Sequence, residues 1–578
     1  MSSAWKKVVV AVLLVIAAVA PGRAGQQVSE ELSKSLDEYL SRLEKFGFSG
    51  VVLVAKDGHV VLAKGYGFAD RARRIRYTAE TIAPIGSVTK QFTAAAVLKM
   101  EMMGRLRVED SIAKYLPGVP EDKRNITLHH LLTHTSGIGR VPGGDDDPIE
   151  RDDLVRQALA LPLRFQPGER FEYSNEGYSL AAAIVEHSSK KSYEEFLRES
   201  LFQPAAMHST GYVLPRWILE HMAHGYNQMG RDTGTFESVN WGATGPGWHL
   251  KGNGGILSTP GDMLRWHQAL LGESILSAAA KEKLFKPYVP TDAGDSYGYG
   301  WGILTTPRGT KLVAHNGGNG IFFTEFRRYV DEGVVIFVQS NGEIRATELG
   351  ANQIPALVFE GGLPLPPTVV DVEEGKLNRL AGEYKTVAGD EVRVSVQGGR
   401  LNVASASKRL LAVLSGLTPP GGLRSARFEE ASRRLLEEAA RGNFQPIFEA
   451  FGGQIPLERV KEMEGGVWRQ LRRDYGEFTG VEVLGTSRGG PGARVVLRLN
   501  FERGSTLLAH GWQGNELAGI NMMRQVPGTV FFPVSETEFV RYSLREPRPM
   551  TIRFRTTDGK TELLLPTESG ELAATKTT

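Results

Sequence analysis

The stretch Pro84-Ile85-Gly86-Ser87-Val88-Thr89-Lys90-Gln91-Phe92 places a serine three residues ahead of a lysine. On a helix that spacing puts both side chains on one face, a turn apart. A serine hydroxyl is a poor nucleophile until a neighbour takes its proton, and a lysine kept from water can lose its own proton and act as that base. A helix N-terminus at the serine favours negative charge on its oxygen. The pair can therefore do nucleophilic acyl transfer. Gly485-Thr486-Ser487-Arg488-Gly489 offers a rival serine, because Gly-x-Ser-x-Gly after a strand is the pattern of a nucleophile elbow. An elbow must enter a helix, whereas Gly490-Pro491-Gly492 leads into another β-rich run, so a hairpin turn is the better reading.

Ser-x-x-Lys is a short pattern and gains weight from an ordered series of later stretches. These are Leu131-Leu132-Thr133-His134-Thr135-Ser136-Gly137, then Tyr173-Ser174-Asn175-Glu176-Gly177-Tyr178, then Gly254-Gly255-Ile256-Leu257-Ser258-Thr259 before Asp262, Tyr299-Gly300-Trp301-Gly302 and His315-Asn316-Gly317. Over residues 30 to 360 this ordered set resembles the serine β-lactamase and penicillin-binding protein superfamily, in the branch of class C β-lactamases, D-aminopeptidases and family VIII esterases. The resemblance implies an α+β fold, with an antiparallel sheet flanked by helices beside an all-helical region and the active site between them. It implies Ser87 as the acylated nucleophile, Lys90 as its partner and Tyr173 as a proton relay. Asn175 would orient Lys90 and the substrate, His315 and Gly317 would lie on the strand edging the cleft, and the backbone N–H groups of Ser87 and Gly318 would form the oxyanion hole. Such donors are typically worth ~3–4 kcal/mol each to a transition state. Tyrosine and lysine titrate near 10 when free, so placing them together is expected to couple their titrations and lower both.

One departure bears on substrate. Where many relatives have Lys-Thr-Gly, this chain has His315-Asn316-Gly317, replacing a permanent cation by a side chain mostly neutral at pH 7. Penicillins and D-Ala-D-Ala termini both carry a carboxylate that such a cation would anchor, so the sequence favours esters or neutral-ended amides and peptides, in the manner of an esterase or D-aminopeptidase. β-Lactamase or D-Ala-D-Ala carboxypeptidase activity is the alternative. A reading of another class, a catalytically inactive binder of cell-wall peptides, is opposed by the joint presence of Ser87, Lys90 and Tyr173. No cofactor and no metal is expected. His130 and His134 have the i, i+4 spacing of a ligand pair on a helix, but no glutamate lies between them and structural hydrogen bonding is the simpler role. Asp145-Asp146-Asp147, between Gly144 and Pro148, reads as a solvated loop at the cleft rim. Gly317-Gly318 lacks the strand-to-helix setting and the following Gly-Lys-Ser/Thr of a phosphate loop.

These residues need a framework. Phe48 to Phe68 reads as two strands around the turn Lys56-Asp57-Gly58-His59, after a helical lead-in with Leu32, Leu36, Leu40 and Leu43. Ser87 to Met103 reads as a buried helix stopping at Gly104. The hydrolase-like domain is expected over 30–362, followed by a Pro-rich linker over 363–376 carrying Leu363-Pro364-Leu365-Pro366-Pro367. Alternating Val392, Val394 and Val396 and a similar texture after Phe531 predict a small antiparallel β-domain split into 377–416 and 529–566. Between its halves, 417–528 reads as an α+β insertion with two amphipathic helices and strands at Val481 to Leu484, Arg494 to Phe501 and Ser505 to Trp512. Trp468 and Trp512 are expected in its core, and 567–578 is expected to be a disordered tail. This third of the chain reads as a lid, an independent ligand binder, or a stability and oligomerisation module, the last being the simplest.

Composition agrees with a folded chain of 578 residues: 41% apolar and 23% charged, with 68 Lys plus Arg against 66 Asp plus Glu. A net charge of +2 offers nothing for nucleic acid, which leaves a small ester, amide or peptide as the expected partner. The absence of cysteine removes disulfides, thiolate metal sites and a cysteine nucleophile together. Lys6 and Lys7 precede a thirteen-residue apolar run, Val8 to Ala20, and then small residues, the layout of a signal peptide over 1–24 cut after Ala24 or Ala20. The protein is therefore expected to be exported, periplasmic or secreted, without a membrane span once cleaved.

Overall fold

The computed structural model describes residues 23–577 apart from 215–216, 228–229, 237–240, 292–293, 343, 345, 406, 416, 419, 422–424, 453–456, 490–491, 524–528, 545–548 and 568–569. Nearly all of the expected signal peptide lies outside the described residues. No described helix is long and apolar enough to cross a membrane.

The first domain is built on an eight-stranded antiparallel sheet. Its order runs His59–Tyr66, Gly50–Lys56, Val334–Ser340, Phe323–Tyr329, Lys311–Gly318, Gly302–Thr305, Ser296–Tyr297, Val289–Pro290. The first hairpin turns at Asp57 and Gly58, both with positive φ, as a two-residue turn matched to strand twist requires. Gly50-Val51-Val52-Leu53-Val54-Ala55 is apolar without alternation because both faces are covered. Val51, Leu53 and Ala55 join the core under the helices that carry Ser87. Val52 and Val54 face the other way, onto the Arg23–Lys45 and Ile354–Phe359 helices through Leu36, Leu40 and Leu43. The expected class, an antiparallel sheet flanked by helices, is what the chain forms.

Beyond Leu363 the chain runs without helix or strand to Glu374–Leu380, a helix whose Leu377 is fully buried at the barrel interior. The β-domain is a closed eight-stranded barrel, formed by three strands over 382–405 and five over 530–576. Its interior is filled by Tyr384, Val394, Leu401, Phe531, Phe539, Leu563 and their neighbours. The expectation of a disordered 567–578 tail is corrected. Gly570–Lys576 is the closing strand, pairing Leu572 with Leu565 on one side and Lys576 with Tyr384 on the other, and Ala574 is fully buried. A polar stretch is ordered here because closure removes both sheet edges at once.

The inserted segment packs three helices, Ala426–Ala440, Gln445–Ala450 and Leu457–Tyr475, on a four-stranded antiparallel sheet. Trp468 and Trp512 are buried in its core, and the Trp512 indole donates to Ser432 Oγ at 2.9 Å. A fourth strand, Glu516–Met523, and two further helices, Gln445–Ala450 and Lys408–Ser415, are additions to the sequence reading. The last of these joins the modules, burying Leu410 and Leu414 in the barrel and Leu411 against Leu484 and Val496 of the insert. The barrel docks on the first domain through Phe46, whose ring lies 4.8 Å from that of Phe532, and through the Tyr39 and Tyr542 hydroxyls at 3.1 Å. Both contacts are made by the Arg23–Lys45 helix and its end, on the sheet face opposite the Ser87 turn.

Candidate active site

Ser87 lies in a 3-10 turn, Gly86–Thr89, that runs into the α-helix Lys90–Met102. That helix is buried on nearly every face, which explains its apolar and alanine-rich sequence and fixes its start rigidly. The turn is tied to its surroundings by Ile85 N–H donating to Ile256 O at 2.9 Å and by the Pro84 carbonyl, which accepts from Thr324 Oγ1 and Gln339 Nε2 of the sheet. Two glycines let the Lys311–Gly318 strand approach it. Gly86 has φ +53, and a Cβ there would lie 2.5 Å from the Gly318 nitrogen; a Cβ on Gly317 would lie 2.1 Å from the Ile85 oxygen. Ser87 and Gly318, the two backbone donors expected for an oxyanion, therefore line one cavity wall.

Lys90 is fully buried. Its Nζ contacts Asn175 Oδ1 and the Asn253 carbonyl oxygen, each at 2.8 Å, and Ser87 Oγ at 3.2 Å. A neutral amine has two hydrogens and one lone pair. The two pure acceptors take the hydrogens, which leaves the lone pair facing the serine hydroxyl. Burial pushes the Lys90 ammonium down to about 7, against weaker upward pulls from Asp145 and Glu176. The side chain is thus able to be neutral near physiological pH.

Tyr173 and Asn175 flank the N-cap of the Asn175–Ser189 helix, where Ser174 Oγ accepts from Gly177 N–H at 3.2 Å. The cap turns both side chains toward Lys90, whose Nζ lies 4.8 Å from the Tyr173 ring centroid. Tyr173 is 44% exposed along the cleft. Desolvation of its hydroxyl end pushes the phenol up, with nearby Ser87 opposing more weakly. The expected lowering of the tyrosine is corrected in direction: desolvation of its hydroxyl end pushes the phenol up, and the neighbouring Lys90, itself pushed down by burial, does not reverse this.

His315 is buried, with Nδ1 2.6 Å from the Asn316 carbonyl oxygen and Nε2 2.9 Å from the Tyr297 hydroxyl. A carbonyl can only accept, so the proton sits on Nδ1 and Nε2 accepts from Tyr297. Burial, then the nearby Lys90, pushes the imidazole down to about 4. It is a neutral residue turned inward.

The cavity at Ser87 is walled by Asn175, Asn253, Phe236, Leu250, Phe322 and Asp145 among others. It adjoins a second space that shares Asp145, Phe236, Leu250 and Phe322 and adds Asp146. Among the described residues, every residue lining either space lies between Pro84 and Phe322, and none belongs to the barrel or the insert. Asp147 closes its own turn by accepting from Gly144 N–H at 2.7 Å.

The rival groups fall away. Gly485 and Ser487 lie within the strand Phe478–Gly489, paired with Gly492–Phe501, so Ser487 sits in a sheet ladder rather than at a strand-to-helix elbow. His130 and His134 do not share a helix, because Leu128–Leu132 ends before His134, whose φ is +59. His130 Nδ1 accepts from Thr127 N–H and His134 Nδ1 from Ser174 N–H. Among the described residues, the grouping with metal-ligand spacing is Asp70, His224 and Asp232. There Arg73 occupies Asp70 at 2.6 Å and His224 Nδ1 lies 2.9 Å from Asp232, so the donors are spent on one another. Asn253 and Tyr297 are not legible as site residues in the sequence: one acts through a backbone carbonyl and the other through an imidazole two strands away. Asp145 stands out there only as part of a rim loop.

Comparison with known proteins bears on family and fold. A sequence model described as Beta-lactamase matches residues 37–356. Penicillin-binding protein 4* of Bacillus subtilis (strain 168) is 30% identical over 384 residues, covering 62% of this chain and 84% of that protein. The octameric penicillin-binding protein homologue from Pyrococcus abyssi superposes with a TM-score of 0.51 at 21% identity, over 94% of this chain and 99% of that one. The beta-lactamase/D-alanine carboxypeptidase from Pseudomonas syringae gives a TM-score of 0.50 at 19% identity, over 58% of this chain and 100% of its own. The Pyrococcus likeness extends the shared fold into the C-terminal third.

Proposed function

The chain belongs to the Beta-lactamase family, and we propose that it is an exported serine hydrolase that cleaves small esters, amides or peptides through an acyl-enzyme on Ser87. The observation that carries this reading is the environment of Lys90 Nζ: two acceptors fix its hydrogens and its free lone pair faces Ser87 Oγ. In the first step Lys90 takes the serine proton as Oγ bonds to the acyl carbon. Charge developing on the acyl oxygen meets the backbone N–H groups of Ser87 and Gly318. Tyr173, protonated beside Ser87, passes its proton to the leaving group as it takes up the one that Lys90 received from the serine, so that phenol and amine both end neutral. Water then enters as the second nucleophile by the reverse path.

The cavity supports a substrate class as well. Neither Lys90 nor His315 offers a permanent cation for a substrate carboxylate, while the wall carries the carboxylate of Asp145. An ester, or an amide or peptide with a free amine on its acyl part, suits these charges better than a penicillin or a D-Ala-D-Ala terminus. Export rests on the N-terminal sequence alone, and a mature protein retaining Trp5 would contradict it.

The deciding comparison is hydrolysis of p-nitrophenyl acetate by the protein and by Ser87→Ala, both checked for folding by circular dichroism. We expect a loss of at least about a thousandfold, within the range for removal of a nucleophile. Activity that survives the substitution overturns the assignment; a folded wild type inactive on esters, D-amino-acid amides and β-lactams would favour a non-catalytic peptide binder.

A further inference from the structure

We propose that His134 is a positioning residue that holds the Tyr173 phenol over Ser87. The inference rests on the serine-hydrolase reading above. His134 is buried, 1% exposed, and grips the backbone on both sides of Tyr173: its carbonyl accepts from Glu172 N–H at 2.9 Å, and its Nδ1 accepts from Ser174 N–H at 3.0 Å. Its ring stacks on the Tyr173 ring, with centroids 4.2 Å apart and planes inclined by 29°. Residues 172, 173 and 174 are thus held by one side chain and its own carbonyl.

Two features show that this residue is kept at a cost. Its φ of +59 is a conformation that side-chain-bearing residues rarely adopt, and glycine would relieve it. Its Nε2, which must carry the proton when Nδ1 accepts, has no hydrogen-bond partner among the described residues, and the surrounding rings are those of Phe171, Tyr173, Tyr178 and Tyr297. A glycine at 134 would remove both costs, but it would leave Tyr173, with 44% of its surface open to the cleft, without the ring that backs it. The structure therefore assigns the imidazole two tasks: an acceptor for Ser174 N–H and a flat wall for the tyrosine.

The experiment is a double-mutant cycle on p-nitrophenyl acetate with Tyr173→Phe, His134→Asn and the double variant. Asparagine keeps a short acceptor for Ser174 N–H and removes the ring; His134→Phe keeps the ring and removes the acceptor. We expect Tyr173→Phe to lower kcat at least about a hundredfold, the scale of a lost general acid. We expect each His134 variant to lower kcat roughly ten- to a hundredfold with KM within about twofold, and either to change kcat less than about twofold once Tyr173 is phenylalanine. Losses that multiply in the double variant, or a His134 variant that is folded with unaltered kcat, overturn the proposal. If His134→Asn does not fold, His134→Phe, which keeps an aromatic ring against Tyr173, carries the same cycle. A Tyr173→Phe variant with wild-type kcat overturns the role of Tyr173 and this proposal together, while leaving Ser87→Ala to decide the serine mechanism separately.

Discussion

Lys90 Nζ donates to the main-chain oxygen of Asn253 at 2.8 Å, across 163 residues of sequence. This contact, with the matching one to Asn175, decides which proton inventory the lysine can hold. A backbone carbonyl cannot release or supply a proton, so it holds one hydrogen of Lys90 permanently and leaves the nitrogen one direction in which to act. Asn253 is itself pinned, its Nδ2 donating to Ser179 Oγ at 2.8 Å and to the His249 carbonyl at 2.7 Å.

A pH profile tests that inventory. Lys90 must be neutral to accept the Ser87 proton, and burial brings its pKa down to about 7. Since the neutral form grows as pH rises, kcat/KM should fall about tenfold per unit below that pKa and level off above it. A profile flat from about pH 5.5 to 8.5, measured by p-nitrophenol release with the product's own ionisation corrected, would remove Lys90 as the base.

Close approach of the Lys311–Gly318 strand to the nucleophile turn gives the second prediction, through Gly317. A methyl group there would lie 2.1 Å from the Ile85 oxygen and 2.8 Å from the Ser87 nitrogen. Gly317→Ala should therefore displace Ser87 from Gly318 and cost roughly ten- to a thousandfold in kcat, up to the range for a lost oxyanion donor. Steady-state kinetics beside a thermal melt would test this; unchanged kcat would show that the strand can yield.

Asp145 supplies the third, a test of charge preference. Asp145→Asn should reduce kcat/KM for D-alanine p-nitroanilide about tenfold and leave p-nitrophenyl acetate within about twofold, since only the first carries an ammonium. Equal effects on both substrates would mean that the loop shapes the cavity without reading charge.

The fourth concerns stability in the inserted segment. His510 is fully buried, neither ring nitrogen has a hydrogen-bond partner among the described residues, and desolvation pushes its pKa down to about 4. The folded state thus binds the proton less readily than the unfolded chain, whose histidine titrates near 6.5. Stability from this group is complete above about pH 6.5 and declines as pH falls toward 4, by about 3 kcal/mol at most. His510→Phe should lose that dependence. Urea unfolding followed by tryptophan fluorescence, as the difference between variant and wild type at about pH 7.5 and 4.5, would expose it; parallel curves would sink the idea.

Much of the site is legible in the sequence because its chemistry is local. Ser87 and Lys90 lie a turn apart where a 3-10 turn runs into a helix, and Tyr173 and Asn175 straddle one helix cap, so a few consecutive residues carry both identity and spacing. The insert's three expected strands are readable by alternation, whereas Glu516–Met523 is not, because its exposed edge position relaxes the pattern. The closing strand Gly570–Lys576 reads as a tail for a related reason: its order comes from Tyr384 and Leu565, residues that no local pattern points to.

The order of residues alone thus pointed to the family that the comparison shows, to Ser87 and Lys90 as the proposed nucleophile and its partner, and to the lack of a lysine at 315. The direction in which each group's titration shifts depends on the folded chain. Tyr173 goes up where a coupled pair suggested down, Lys90 goes down, and His315 engages Asn316 and Tyr297 with its two nitrogens. These are consequences of desolvation and of acceptors drawn from distant segments, and such quantities depend on what surrounds a group in space, which no succession of residues along the chain states.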